Sequence, residues 1–144
     1  MKLLIKALRD AISYIPDNRT YAIRIFSSFV KERDKLPLHS SGLWVNVAEY
    51  VFDDNTDSYM AGPKTIDDKI AISIITDFAR HRETTETLLV HCTLGRNRSP
   101  AVAMALNDIF KLGYIPKELR EEYVVANLYV YPKLLEIAPV LKLK

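Results

Sequence analysis

Apolar residues along this chain switch between a two-residue and a near-four-residue period, and the switches divide it into alternating strands and helices. TYAIRIFS, Thr20 to Ser27, is β-branched and aromatic with Tyr21, Ile23 and Ile25 on one face, which predicts a strand. LWVNVAEYVF, Leu43 to Phe52, predicts another and runs into the acidic loop DDNTDSYMAGPK. From Thr65 the period lengthens. Ile66, Ile70, Ile74 and Phe78, with Ala71 and Ile75 beside them, line one broad face of a helix, and Thr65 with Asp68 resembles a capping box. TLLVH, Thr87 to His91, is short and apolar throughout, as a central strand buried on both faces should be. Ser99-Pro100 then opens a helix with a hydroxyl cap and a proline in the first turn, and Gly113 closes it. At the ends the pattern is weaker. KLLIKAL, Lys2 to Leu8, fits a strand or the start of a short helix, VKERDKLPLHSSG reads as a surface loop, and helical stretches are expected from Pro116 to Tyr129 and from Tyr131 to Leu141.

Strands alternating with helices predict a three-layer α/β domain with a central, largely parallel sheet flanked by helices. With 144 residues, no repeat and no linker, residues 1–144 are expected to form one domain. Lys and Arg are mixed with Asp and Glu to a formal net charge of +2, without the basic stripe of a nucleic-acid coat, so an anionic partner must be met locally. No uncharged apolar run approaches the roughly 18 residues of a membrane span, and the N-terminus lacks the pattern of a signal peptide. No membrane insertion is expected. A single cysteine, Cys92, forms no intramolecular disulfide, which favours the cytoplasm.

That cysteine sits where the fold would put a site, at the carboxyl end of the most buried strand and ahead of the most apolar helix. Between Cys92 and Arg98 lie Thr93, Leu94, Gly95, Arg96 and Asn97, enough chain to curl around a tetrahedral oxyanion with backbone N–H groups turned inward. Gly95 permits a positive φ or a close backbone approach. The helix that follows adds the partial positive charge of its amino end, and Arg98 can grip two phosphate oxygens with its planar fork. The same fields favour a thiolate. His91 reads as a strand-end histidine that holds the loop, with a base role as the alternative. His39 and His81 are isolated, no cluster has metal spacing, and no metal or other cofactor is expected.

HCTLGRNRS matches the His-Cys-x5-Arg-Ser/Thr signature of cysteine-based phosphatases, the protein tyrosine and dual-specificity superfamily. FDDNTD, Pro63, ITDFARH and LLVHC resemble small microbial and viral members that carry Phe-Asp-Asp ahead of the same helix and strand, so the likeness runs from about Tyr21 to Gly113. The resemblance implies that Cys92 forms a phosphocysteine, that Arg98 binds the phosphoryl group, and that Ser99 assists breakdown of the phosphoenzyme. It also implies a general acid in the acidic loop. The Phe-Asp-Asp pattern favours Asp54; Asp57, at a separation from Cys92 nearer the superfamily's usual one, and Asp53 are rivals. The substrate implied is a phosphorylated protein or small phosphate ester. HCTxGxNR is also similar to the loop of cysteine-dependent RNA 5′-triphosphatases, through Thr93 and Asn97, and the positive charge of Arg96 at the mouth would suit RNA or a phosphoinositide head. A phosphate-binding module without turnover is the third reading.

Overall fold

The computed structural model of the chain describes residues 1–54 and 64–143. Its centre is a four-stranded sheet made of β1 (Lys2–Ala7), β2 (Thr20–Phe26), β3 (Trp44–Val51) and β4 (Thr87–Cys92). The strand order is β1-β4-β2-β3 and every neighbouring pair is parallel. The helices are α1 (Leu8–Ile12), α2 (Asp68–His81), α3 (Arg98–Phe110), α4 (Pro116–Glu122) and α5 (Val130–Ile137). The result is a three-layer α/β arrangement, in keeping with the alternating pattern of the sequence.

One face of the sheet, carrying Leu3, Tyr21, Ile23, Ile25, Tyr50, Leu88 and Val90, joins buried residues of α2, α3, α4 and α5 in a continuous apolar core. On β2 and β4 the opposite face is buried too, a point that the period-two pattern of β2 did not reveal. All seven residues of β2 are buried, because β3 and β4 cover its edges and the segment around Lys35 and Leu36 covers its second face. On that second face Arg24 donates from Nη2 to the carbonyls of Lys35 and Leu36, and the Phe26 ring lies 5.0 Å from the Arg24 guanidinium. The segment that reads as a surface loop thus covers the sheet, and it contains a short 3-10 turn at Glu32–Asp34.

Several boundaries differ from expectation, each for a local reason. Lys2–Ala7 is a strand because it pairs with β4, and α1 follows it without a break. Helix α2 is capped by Asp67, whose carboxylate accepts from the Ile70 N–H at 2.8 Å; the Thr65–Asp68 capping box does not form. Ser99 lies inside the first turn of α3, after Asn97 at the cap position, so it is no hydroxyl cap. Lys111, in the left-handed region at φ 54°, ends α3; Gly113 lies beyond the end. The span from Pro116 to Tyr129 is helical only to Glu122, and α5 runs from Val130 to Ile137 before a 3-10 turn at Ala138–Val140, where Pro139 lacks the N–H that a longer α-helix needs. No helix among the described residues is long and apolar enough to cross a membrane.

Candidate active site

Strand β4 delivers Cys92 as its last residue, and the chain turns through five residues into α3, which begins at Arg98. The turn is packed against the start of the chain. Gly95 has φ +71°, and a Cβ there would stand 2.7 Å from the Ala7 nitrogen and the Lys6 carbonyl carbon. The Leu8 N–H donates to the Thr93 carbonyl at 3.2 Å, and Ala7 is the register partner of Cys92. The glycine therefore serves both its backbone conformation and a close approach to β1.

Donors converge on the sulfur. The Gly95 N–H reaches Cys92 Sγ at 3.3 Å, the Ser99 N–H at 3.5 Å, and Ser99 Oγ stands 3.2 Å away. The amino end of α3 adds its partial positive charge. Arg98 is only 5% exposed, and Nη1 donates to Ser27 Oγ at 3.0 Å and to the Phe52 carbonyl at 2.9 Å. Its Nε has no hydrogen-bond partner, and among the described residues no carboxylate forms an ion pair with it. A buried guanidinium with a donor unbonded and no carboxylate at ion-pair distance is costly, because the hydrogen bonds from Nη1 replace only part of the lost hydration. The arrangement is suited to an anion that arrives from outside.

Cys92, Arg98, Thr93, Leu94 and Asn97 line a cavity of about 170 Å³ together with Ser27, Phe29 and Asp54. Gly95 touches the cavity only through its N–H on the sulfur and is not part of the lining, and Arg96 is exposed outside it. Larger hollows of about 730 and 330 Å³ lie elsewhere, around Tyr114 and Tyr123, and neither is lined by Cys92 or Arg98.

The three acidic candidates separate. Asp53 is buried and accepts from the Ser28 N–H at 2.9 Å, Ser28 Oγ at 2.7 Å and the Lys64 N–H at 3.1 Å. Burial favours its neutral form, but those bonds, with Arg98 nearby, outweigh it and hold the carboxyl below its ordinary range. Asp53 is a charged clasp for the loop, poorly suited to donate a proton. Asp54, the next residue, is exposed at the cavity, and its Oδ1 accepts from Asn127 Nδ2 at 2.8 Å. Asp57 lies outside the described residues, as does Pro63.

Two residues that the sequence reading passed over support the loop. Arg24 Nε donates to His91 Nε2 at 2.9 Å, so His91 is neutral with its proton on Nδ1. Burial and then the neighbouring guanidinium push its pKa down to about 4, which matches a structural role in the strand. Asn97 Nδ2 donates to the Val125 carbonyl at 2.9 Å, and the Asn97 carbonyl accepts from the Asn127 N–H at 2.9 Å. An arginine inside an otherwise apolar strand was the visible signal for the first; Asn127 gave none. Among the described residues no group of three or more His, Cys, Asp or Glu side chains could hold a metal ion. Comparison with protein-family models, with curated proteins and with solved structures gives no match to this chain.

Proposed function

We propose that the protein is a phosphomonoester hydrolase that works through a phosphocysteine intermediate, acting on phosphotyrosine or on both phosphotyrosine and phosphoserine or phosphothreonine in proteins. The observation that carries this reading is the buried Arg98 guanidinium, with Nε unbonded and no ion pair among the described residues, sharing one cavity with a sulfur that meets the Gly95 and Ser99 N–H groups and the Ser99 hydroxyl. A dianionic phosphoryl group supplies the missing counter-charge and brings its phosphorus to the thiolate.

The chemistry then runs in two steps. In the first, the Cys92 thiolate attacks phosphorus, the P–O bond to the alcohol breaks, and Asp54 gives its proton to the departing oxygen. In the second, the Asp54 carboxylate takes a proton from water, the resulting nucleophile attacks phosphorus, and the P–S bond breaks to return the thiolate. The Ser99 hydroxyl, 3.2 Å from the sulfur, stabilises the charge that returns there. Arg98 follows the equatorial oxygens through both steps.

Asp54 at the cavity supports an ester with a poor leaving group over an RNA 5′-triphosphate, whose diphosphate departs without an acid. The test is a panel of an aryl phosphate, phosphotyrosine and phosphoserine peptides, a phosphoinositide and an RNA 5′-triphosphate, run with wild type and Asp54→Asn. The expected result is turnover of the aryl phosphate and phosphotyrosine peptide, with losses in the variant that grow as the leaving group worsens. Efficient turnover of the RNA alone, untouched by Asp54→Asn, would replace this reading with the RNA one. Phosphate binding without turnover of any substrate would leave a binding module.

A further inference from the structure

Asn127 lies between α4 and α5, outside the phosphate loop, and its side chain is fully buried. Its Oδ1 accepts from the Tyr129 N–H at 2.8 Å and the Val130 N–H at 2.9 Å, at the start of α5. Two backbone donors on one end of an amide fix which end is oxygen, so the NH2 end must face Asp54. There Nδ2 donates to Asp54 Oδ1 at 2.8 Å. The backbone N–H of the same residue is bound to the Asn97 carbonyl, on the phosphate loop.

We propose that Asn127 is a positioning residue that selects the orientation of the Asp54 carboxyl and ties it to the phosphate loop. The inference rests on Asp54 being the general acid. An exposed aspartate samples several rotamers, and an immobile N–H donor on one oxygen favours one of them. The bond also dictates which oxygen carries the proton. With Oδ1 held as acceptor, the proton resides on Oδ2, and the same bond survives when that proton leaves. Proton donation in the first step and proton uptake in the second thus use one oxygen, while the anchor itself never titrates. Cys92 and Arg98 share the cavity with Asp54, and Asp53 is its chain neighbour, so their charges act on Asp54 along with any introduced at position 127.

Two variants and two substrates test this. Asn127→Ala removes the donor. Its kcat on phenyl phosphate should fall about 10- to 100-fold, a portion of the 10²–10⁴ that general acid catalysis supplies, and the loss on dinitrophenyl phosphate should be clearly smaller. Asn127→Asp keeps an acceptor for the Tyr129 and Val130 N–H groups but turns a carboxylate toward Asp54, so the alkaline limb of kcat on phenyl phosphate should move to higher pH. Equal losses on both substrates in Asn127→Ala, with an unmoved pH profile in Asn127→Asp, would reduce Asn127 to a structural tie and overturn the proposal. Asp54→Asn is the reference that separates the two claims. If it widens the gap between the substrates and Asn127→Ala does not, positioning alone fails; if it does not widen the gap, the acid assignment falls and positioning falls with it.

Discussion

The loop from Cys92 to Ser99 and the segment from Phe52 to Asp54 face each other across one cavity, and they are held in different ways. The loop is organised mostly within itself. Gly95 and Ser99 bond the sulfur and the positive φ at Gly95 makes the turn, while the end of β1, Val125 and the Asn127 N–H brace it from outside. The acidic segment is organised by distant residues, with the Ser28 and Lys64 backbone N–H groups and the Ser28 hydroxyl on Asp53 and the Asn127 side chain on Asp54. On the proposed reading the nucleophile is held largely by bonds within its own loop, whereas the acid depends on contacts that a remote substitution can remove. Damage to the first should strike every substrate alike, and damage to the second should depend on the leaving group.

The largest break is Cys92→Ser, which should lower turnover of all substrates by on the order of 10⁴-fold or more while phosphate still binds, as titration calorimetry would reveal. Substantial turnover in that variant would remove the covalent mechanism. Next comes Arg98→Lys, for which we expect kcat/KM to drop about 10²- to 10³-fold on good and poor leaving groups together, because a point charge does not replace the planar fork. A loss confined to poor leaving groups would transfer Arg98 to the acid side of the comparison.

Gly95→Ala sharpens the contrast by stability. The added methyl meets the β1 backbone at 2.7 Å and a φ of +71° that alanine disfavours, so the protein should lose about 1–3 kcal/mol in chemical denaturation and lose activity evenly across leaving groups. His91 gives a pH test of the strand beneath. Its folded pKa of about 4 lies below the ordinary 6.5, so the unfolded chain binds its proton first. Stability should thus fall as pH drops from about 6.5 to about 4, by no more than about 3 kcal/mol from this group. His91→Asn, which offers Arg24 an oxygen acceptor, should flatten that part of the curve in urea titrations at each pH. The smallest effect is expected for Arg96→Ala, less than about twofold on a small aryl phosphate, since the side chain lies outside the cavity lining; any loss on a polyanion should shrink with salt.

The same division explains what could be read from the chain. The loop from Cys92 to Arg98 stood out in the sequence as a candidate because the chemistry proposed for it needs a nucleophile, a glycine and an arginine at fixed spacing within one stretch. The parallel α/β arrangement was legible from the changing period. Ser99 looked like a helix cap because serine before proline usually is one, but its hydroxyl is taken by a sulfur instead. The acid was not decided by sequence. Asp53 and Asp54 are adjacent in an extended segment and point to different surroundings, and which one meets the cavity is set by Ser28, Lys64 and Asn127. Asn127 itself lay inside what read as one long helix, where an asparagine has no reason to stand out.

The pairing of Ala7 with Cys92 has a consequence for how the protein acquires its site. The first strand and the fourth are far apart in sequence, and joining them closes a long loop whose entropy must be overcome before the contact forms. Gly95 has nothing to lean on until that happens. On a ribosome β1 emerges first and waits, unpaired, until β4 has been made. The loop from Cys92 to Ser99 is thus a late product of folding, and a nascent chain long enough to contain β2, β3 and α2 still lacks the proposed cradle.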